Sequence, residues 1–113
     1  MTSPDYRNTP FDLTDRTALI TGASGGLGGR FAQTLASAGA DLVLTARDAA
    51  NPRLLALEEE LAASVSVSLV AMDVGCPESV SRVFAQLTER GVVVDVLVNN
   101  AGIAQPSLSL IHI

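Results

Sequence analysis

A doubly wound α/β fold built on a parallel sheet is the architecture this sequence predicts, and three observations predict it. Four short apolar runs suited to buried strands alternate with segments whose apolar residues recur every three to four positions. The links between successive runs are too long for hairpins, so the strands should lie parallel, with helices crossing between them. The first run also leads into Thr21-Gly22-Ala23-Ser24-Gly25-Gly26-Leu27-Gly28, a glycine-rich turn between a strand and a helix.

Bulk properties narrow the function. The chain has 113 residues, room for one small domain; 48% are apolar and 17% charged, enough to build a core. A formal net charge of −5 argues against general binding to nucleic acid or to a membrane surface, since both need clustered Lys and Arg. Cys76 is the single cysteine, which excludes an intrachain disulfide and a multi-cysteine metal site. The polar first 17 residues lack the apolar core of a signal peptide, and no apolar run is long enough to span a bilayer. These features predict a soluble cytoplasmic protein.

Residues 1–10, with Pro4 and Pro10 and no periodicity, read as a flexible lead-in. Phe11 to Leu13 should dock on the domain edge before a turn at Asp15 and Arg16. The first strand is residues 17–21, apolar enough to be buried on both faces. A helix follows over residues 27–38, with Leu27, Phe31, Leu35 and Ala38 as its apolar stripe and Gly39 as its stop. Ala32 and Ala36 are small enough to let it pack closely. The second strand covers residues 40–46 and delivers Arg47. Asn51-Pro52 is an N-cap and first-position proline for a helix carrying Leu54, Leu57 and Leu61, whose Glu58-Glu59-Glu60 run is a solvated face. The third strand covers residues 65–72 and ends at Asp73. Pro77 opens a third helix, with Val80, Val83, Phe84 and Leu87 on one face and Gly91 at its end. The fourth strand covers residues 92–98 and delivers Asn99-Asn100-Ala101-Gly102.

Ligands of such sheets bind beyond the carboxyl ends of the strands. That rule places Gly22 to Gly28, Arg47, Asp73 and Asn99 to Gly102 on one rim. Glycines there let the backbone approach a ligand, and the exposed N–H groups of a helix start suit a phosphate, so the turn reads as a pyrophosphate cradle. An ordinary glycine turn is the alternative.

The glycine spacing, Gly22 then Gly26 then Gly28 after Thr21, resembles the cofactor loop of the classical short-chain dehydrogenases/reductases. Asp73-Val74 is similar to that family's adenine-contacting pair, and Asn99-Asn100-Ala101-Gly102 to its second signature. The resemblance runs through about residues 11–106 and implies a Rossmann-type domain, residues 11–107, of which only the first four βα units are present. It also implies a dinucleotide site. In it Gly22 makes the tight turn, Gly26 clears space for the pyrophosphate and Gly28 permits close helix–strand packing. Ser24 offers a hydroxyl to phosphate or ribose, with Gly25 and Leu27 completing the loop. Asp73 would accept from the adenine amino group, or else form a local turn. Of the two asparagines, the family pattern puts Asn100, with Ala101 and Gly102, on the cofactor side and gives Asn99 a structural role.

Arg47 favours NADP over NAD. It lies nineteen residues past Gly28, near the position that reads the ribose, and a 2′-phosphate needs a cation where a 2′-hydroxyl needs a carboxylate. Ala46 stands where an NAD-type member would carry its Asp. A solvated arginine, or one paired with Asp48, is the alternative.

The family transfers a hydride between the nicotinamide and a carbonyl or alcohol carbon, using a Ser and a Tyr-x-x-x-Lys that belong beyond the fourth strand. This sequence has one tyrosine, Tyr6, and no lysine, so no catalytic residue is assigned and a non-catalytic dinucleotide-binding module is the second reading. Cys76, with no base nearby in sequence, is taken as inert. The resemblance implies a small-molecule carbonyl or alcohol substrate and a homo-oligomer for the full-length protein. The closing Leu108-Ser109-Leu110-Ile111-His112-Ile113 matches the translation of CTG TCT CTT ATA CAC ATC, a mosaic-end sequencing adapter. Residues 108–113 are therefore expected to be a non-native tail. A sheet ending at the fourth strand should leave an apolar edge prone to association.

Overall fold

The computed structural model describes residues 12–100. The lead-in, the tail and the positions Ala101 and Gly102 lie outside the described residues. Seven elements alternate without exception: β1 (Thr17–Thr21), α1 (Gly26–Ser37), β2 (Asp41–Ala46), α2 (Pro52–Leu61), β3 (Val67–Ala71), α3 (Pro77–Glu89) and β4 (Val96–Asn99). All strand pairings are parallel, and the sheet order is β3-β2-β1-β4. The chain thus steps outward from β1 to β3 and then returns to the other side of β1, which makes the gap between β1 and β4 the topological switch point.

Alternation along the strands sends successive side chains to opposite faces. Ala18, Ile20, Leu42, Leu44, Val96 and Val98 face one way and form a core with Ala32 and Ala36 of α1 and Leu54 and Leu61 of α2. Leu19, Val43, Leu97 and Met72 face the other way and meet Val83 and Leu87 of α3. The sheet is therefore covered on both sides, as a doubly wound fold requires. β3, at the outer edge, is only half-buried.

The helix ends follow from local chemistry. Asn51 caps α2 by accepting the Arg53 N–H at 2.9 Å, with Pro52 opening the helix. Two helices end in the same hydrogen-bonded stop. Gly39, at φ 95°, donates to the Ala36 carbonyl, while Ala40 donates to Leu35. Gly91, at φ 76°, donates to Thr88, while Val92 donates to Leu87. Both are Schellman motifs, in which glycine takes the left-handed position without steric cost.

The three helix ends each correct one expectation. Ala40 is not the first residue of β2, because its N–H closes α1. Val92 does not begin β4, because its N–H closes α3; the ladder starts at Val96, opposite Ala18, since β1 offers no partner before Thr17. Val92 and Val94 instead pack beneath the sheet as part of the α3-side core. β3 is likewise shorter than residues 65–72, as the Val65 N–H bonds Leu61 at the end of α2.

The stripe expected for α1 also differs. Its buried residues are Gly28, Ala32 and Ala36, while Leu27 is 59% exposed and Phe31 and Leu35 are half-buried at the flank. The helix lies too close to the sheet for large side chains beneath it, so the smallest residues take the inner face.

Candidate functional site

The carboxyl ends of all four strands meet on one rim, and the sequence explains how each arrives there. β1 ends at Thr21, and Gly22 turns the chain at φ 63°, a conformation that disfavours any residue with a Cβ. The turn is held from three sides. The Ala23 N–H donates to the Thr45 carbonyl of β2 at 3.0 Å, and the Gly25 N–H donates back to the Gly22 carbonyl at 3.2 Å. The Asn100 side-chain amide, just past β4, donates to that same Gly22 oxygen at 3.1 Å.

Gly28 sits where these groups converge. A Cβ built there would lie 2.5 Å from the Gly22 oxygen, 2.9 Å from the Ala23 Cα and 3.1 Å from the Asn100 amide nitrogen. The close helix–strand approach expected of Gly28 is thus a fact of the backbone. At Gly26 the opposite holds, since a Cβ would meet nothing within 4 Å, so the space beside the first helical residue is open. No side chain caps α1 and its first turn holds no acid, so no side chain of the helix start competes with an anion for the positive end of the helix dipole. Gly25 and Gly26 are exposed there, beside the exposed Leu27.

A cleft of about 310 Å³ adjoins this turn across the ends of β2 and β3. Gly22 and Ser24 line one side, Ala46, Arg47, Asp48 and Asn51 the second, and Met72 and Val74 the third. Of the residues singled out in sequence, it gathers Gly22, Ser24, Arg47 and Val74. Asp73 is tied to its rim through Arg47, whose Nε stands 3.9 Å from the Asp73 Oδ1. The cleft walls at Asn51 and Met72 were not anticipated. Asn51 was legible only as a helix cap, and Met72 only as the last apolar residue of a strand.

Arg47 does not pair with Asp48. The Asp48 Oδ1 accepts the Ala50 N–H at 2.9 Å, a turn that spends the carboxylate locally. Asp73 forms the local turn named as its alternative role, its Oδ1 accepting the Gly75 N–H at 2.9 Å. The same residue's N–H is fixed by the Ser79 hydroxyl at 3.0 Å. The two asparagines part company. Asn99 is buried, and its Oδ1 accepts the Thr21 hydroxyl at 3.2 Å, joining β4 to β1. Asn100 is half-buried and reaches the glycine turn rather than a neighbouring strand. Cys76 is half-buried at the N-cap of α3 without a side-chain cap bond. Among the described residues no group of His, Cys, Asp and Glu could hold a metal ion, and no helix is long and apolar enough to cross a membrane.

Known proteins are similar to this chain in sequence and fold. The sulfoacetaldehyde reductase of Chromohalobacter salexigens is 43% identical over 100 residues, covering 88% of this chain and 38% of the reductase. L-sorbose reductase from Gluconobacter frateurii, solved with NADPH and L-sorbose, superposes with a TM-score of 0.74 at 36% identity, over 83% of this chain and 36% of its own. A metagenomic short-chain oxidoreductase in complex with NADP gives a TM-score of 0.70 at 39% identity, over 81% of this chain and 41% of its own. The chain spans about two fifths of the length of the curated relatives it matches. A family model for short chain dehydrogenases matches residues 16–111, which takes in every strand and helix above and the whole glycine turn. By that match, and by a glycine turn clamped between β1 and β4 in the same fold, the chain belongs to the short-chain dehydrogenase family of oxidoreductases.

Proposed function

We propose that the chain forms the NADP-binding part of an oxidoreductase that interconverts a ketone and a secondary alcohol by hydride transfer. The observation that carries this reading is a cleft lined both by Gly22 and Ser24 of the glycine turn and by Arg47. An anion can approach the α1 N-terminus because Gly26 leaves the space clear, and a second anion can meet the guanidinium across the cleft.

The residues present fit a dinucleotide phosphate. Gly22, Ser24, Gly25, Gly26, Leu27 and Gly28 would hold the pyrophosphate and its adjoining ribose. Arg47 would take the 2′-phosphate, and Asp73 with Val74 the adenine. Asn100, with Ala101 and Gly102, would serve the far ribose, Asn100 also fixing the Gly22 turn. When bound, the nicotinamide supplies or accepts the hydride. Support comes from relatives named as reductases of sulfoacetaldehyde and L-sorbose, both carbonyl compounds, and from neighbours solved with NADP and NADPH.

Titration with NADPH and with NADH, followed by nicotinamide fluorescence, tests the reading. The charge-assisted bonds of one guanidinium to a phosphate should favour NADPH about tenfold or more. Equal or tighter binding of NADH would sink the NADP assignment.

The second reading is a dinucleotide-binding module without catalysis. It describes these 113 residues taken alone, which hold no lysine and hence no Tyr-x-x-x-Lys. NADPH consumption with ketone and aldehyde substrates separates the two, because a pure binding module would leave the cofactor reduced.

A further inference from the structure

Arg47 and Asp73 follow adjacent strands, β2 and β3, and meet at the rim of the cleft with 3.9 Å between Nε and Oδ1. The two side chains are held very differently. The Asp73 carboxylate is anchored by the Gly75 N–H on its Oδ1, and the residue's backbone N–H is held by the Ser79 hydroxyl. The Arg47 side chain is 86% exposed and has this carboxylate as its ion-pair partner. Asp48, its neighbour in sequence, has its Oδ1 engaged by Ala50. The carboxylate is therefore the fixed member of the pair and the guanidinium the movable one.

We propose that Asp73 sets how strongly Arg47 reads a 2′-phosphate, competing with that phosphate for the same guanidinium. Asp73 thereby limits the discrimination between 2′-phosphorylated and plain adenosine nucleotides. The inference rests on reading the cleft as an adenosine-phosphate site.

Two effects of opposite sign must be weighed. Asp73 orients Arg47, which would help a phosphate bind, and it also neutralises Arg47 and repels the phosphate. A single contact near the outer limit of ion-pair distance, on a largely exposed side chain, restricts the guanidinium little. Neutralisation of Arg47 needs no fixed geometry, only separation within the Debye length, roughly 10 Å at 0.1 M salt, and the 3.9 Å pair falls well inside it. Competition outweighs orientation.

The probes are adenosine 2′,5′-bisphosphate and adenosine 5′-monophosphate, titrated calorimetrically into the chain and its variants. Asp73→Asn retains an Oδ1 that can accept from Gly75 but removes the charge. Any change in adenine contact affects both probes alike and cancels in the ratio of their affinities. That ratio should rise about two- to fivefold in Asp73→Asn at low salt, the range for exposed ion pairs. The rise should shrink when Arg47→Ala is present in both chains compared, and again at high salt. Asp73→Ser, whose hydroxyl can make the same turn, serves if the asparagine variant does not fold. An unchanged or lowered ratio, or the same rise with and without Arg47, overturns the proposal. If Arg47→Ala alone leaves the ratio untouched, the 2′-phosphate reading itself fails. If Arg47→Ala lowers the ratio and neither Asp73 variant raises it, only the role of Asp73 fails.

Discussion

The side-chain amide of Asn100 donates to the carbonyl oxygen of Gly22 at 3.1 Å, joining the end of β4 to the glycine turn after β1. The two residues are 78 positions apart, and this bond crosses the switch point of the sheet. It fixes the one carbonyl that Gly28 must also clear. Asn100→Ala should therefore cost about 0.5–1.5 kcal/mol, the net worth of such a bond, and loosen the turn. Urea unfolding reads the first effect and NADPH titration the second. A variant with unchanged midpoint and unchanged affinity would show that the bond positions nothing.

Gly28→Ala places a methyl against backbone atoms that no side-chain rotation can move aside, at 2.5 Å from the Gly22 oxygen and 2.9 Å from the Ala23 Cα. Overpacking of this kind costs about 1–3 kcal/mol. Gly29, one residue on in the same helix, has open space in the corresponding direction. Gly29→Ala should stabilise by roughly 0.4–1 kcal/mol through the unfolded chain. The pair of denaturation midpoints should move in opposite directions, which a general intolerance of α1 to alanine could not produce.

Which features were legible in sequence depends on how far each is determined locally. Gly39 and Gly91 announced helix ends, and Asn51-Pro52 a helix start, because caps are made within a few residues. What those stops do to the next residue is equally local but carries no signature in residue type: Ala40 and Val92 suit a strand, yet their N–H groups close the preceding helices. The inner face of α1 departs from its sequence pattern for another reason. Leu27, Phe31 and Leu35 recur at helical spacing, but the approach of α1 to β1 is set by the turn at Gly22, and only Gly28, Ala32 and Ala36 fit beneath. The glycine turn itself was plain from its spacing. Its clamp by Asn100 and the pairing of Arg47 with Asp73 were not, since each depends on strand order rather than on any short pattern.

At the opposite end of the sheet, Asp95 closes the β1–β4 ladder. Its Oδ2 accepts the Thr17 N–H at 2.9 Å, its own N–H donates to the Thr17 carbonyl at 2.8 Å, and Arg16 approaches its Oδ1 at 3.4 Å. Asp95→Ala strands a half-buried backbone donor and should cost about 1–3 kcal/mol, whereas Arg16→Ala, whose side chain is 62% exposed, should cost at most about 1 kcal/mol. Asp95→Asn, which keeps an acceptor, should recover most of the loss. Thermal melting of the three variants gives the order, and a larger effect from Arg16 would mean that charge rather than the backbone bond holds this end together.

Arg47 offers the sharpest separation of function from folding. Its side chain is largely exposed and its ion pair with Asp73 is long, so Arg47→Ala should leave the unfolding midpoint within about 0.5 kcal/mol of the starting chain. A bidentate guanidinium–phosphate contact is worth more, because both partners are charged and two bonds share one rigid fork. Losing it should reduce NADPH affinity about tenfold to a hundredfold while leaving NADH affinity nearly constant. Arg47→Lys keeps the charge but not the fork, and should fall between the two. Affinities for both cofactors, measured on chains of equal stability, check this directly. A parallel fall for NADPH and NADH would place Arg47 at the cleft wall as packing, and the 2′-phosphate would then need another cation.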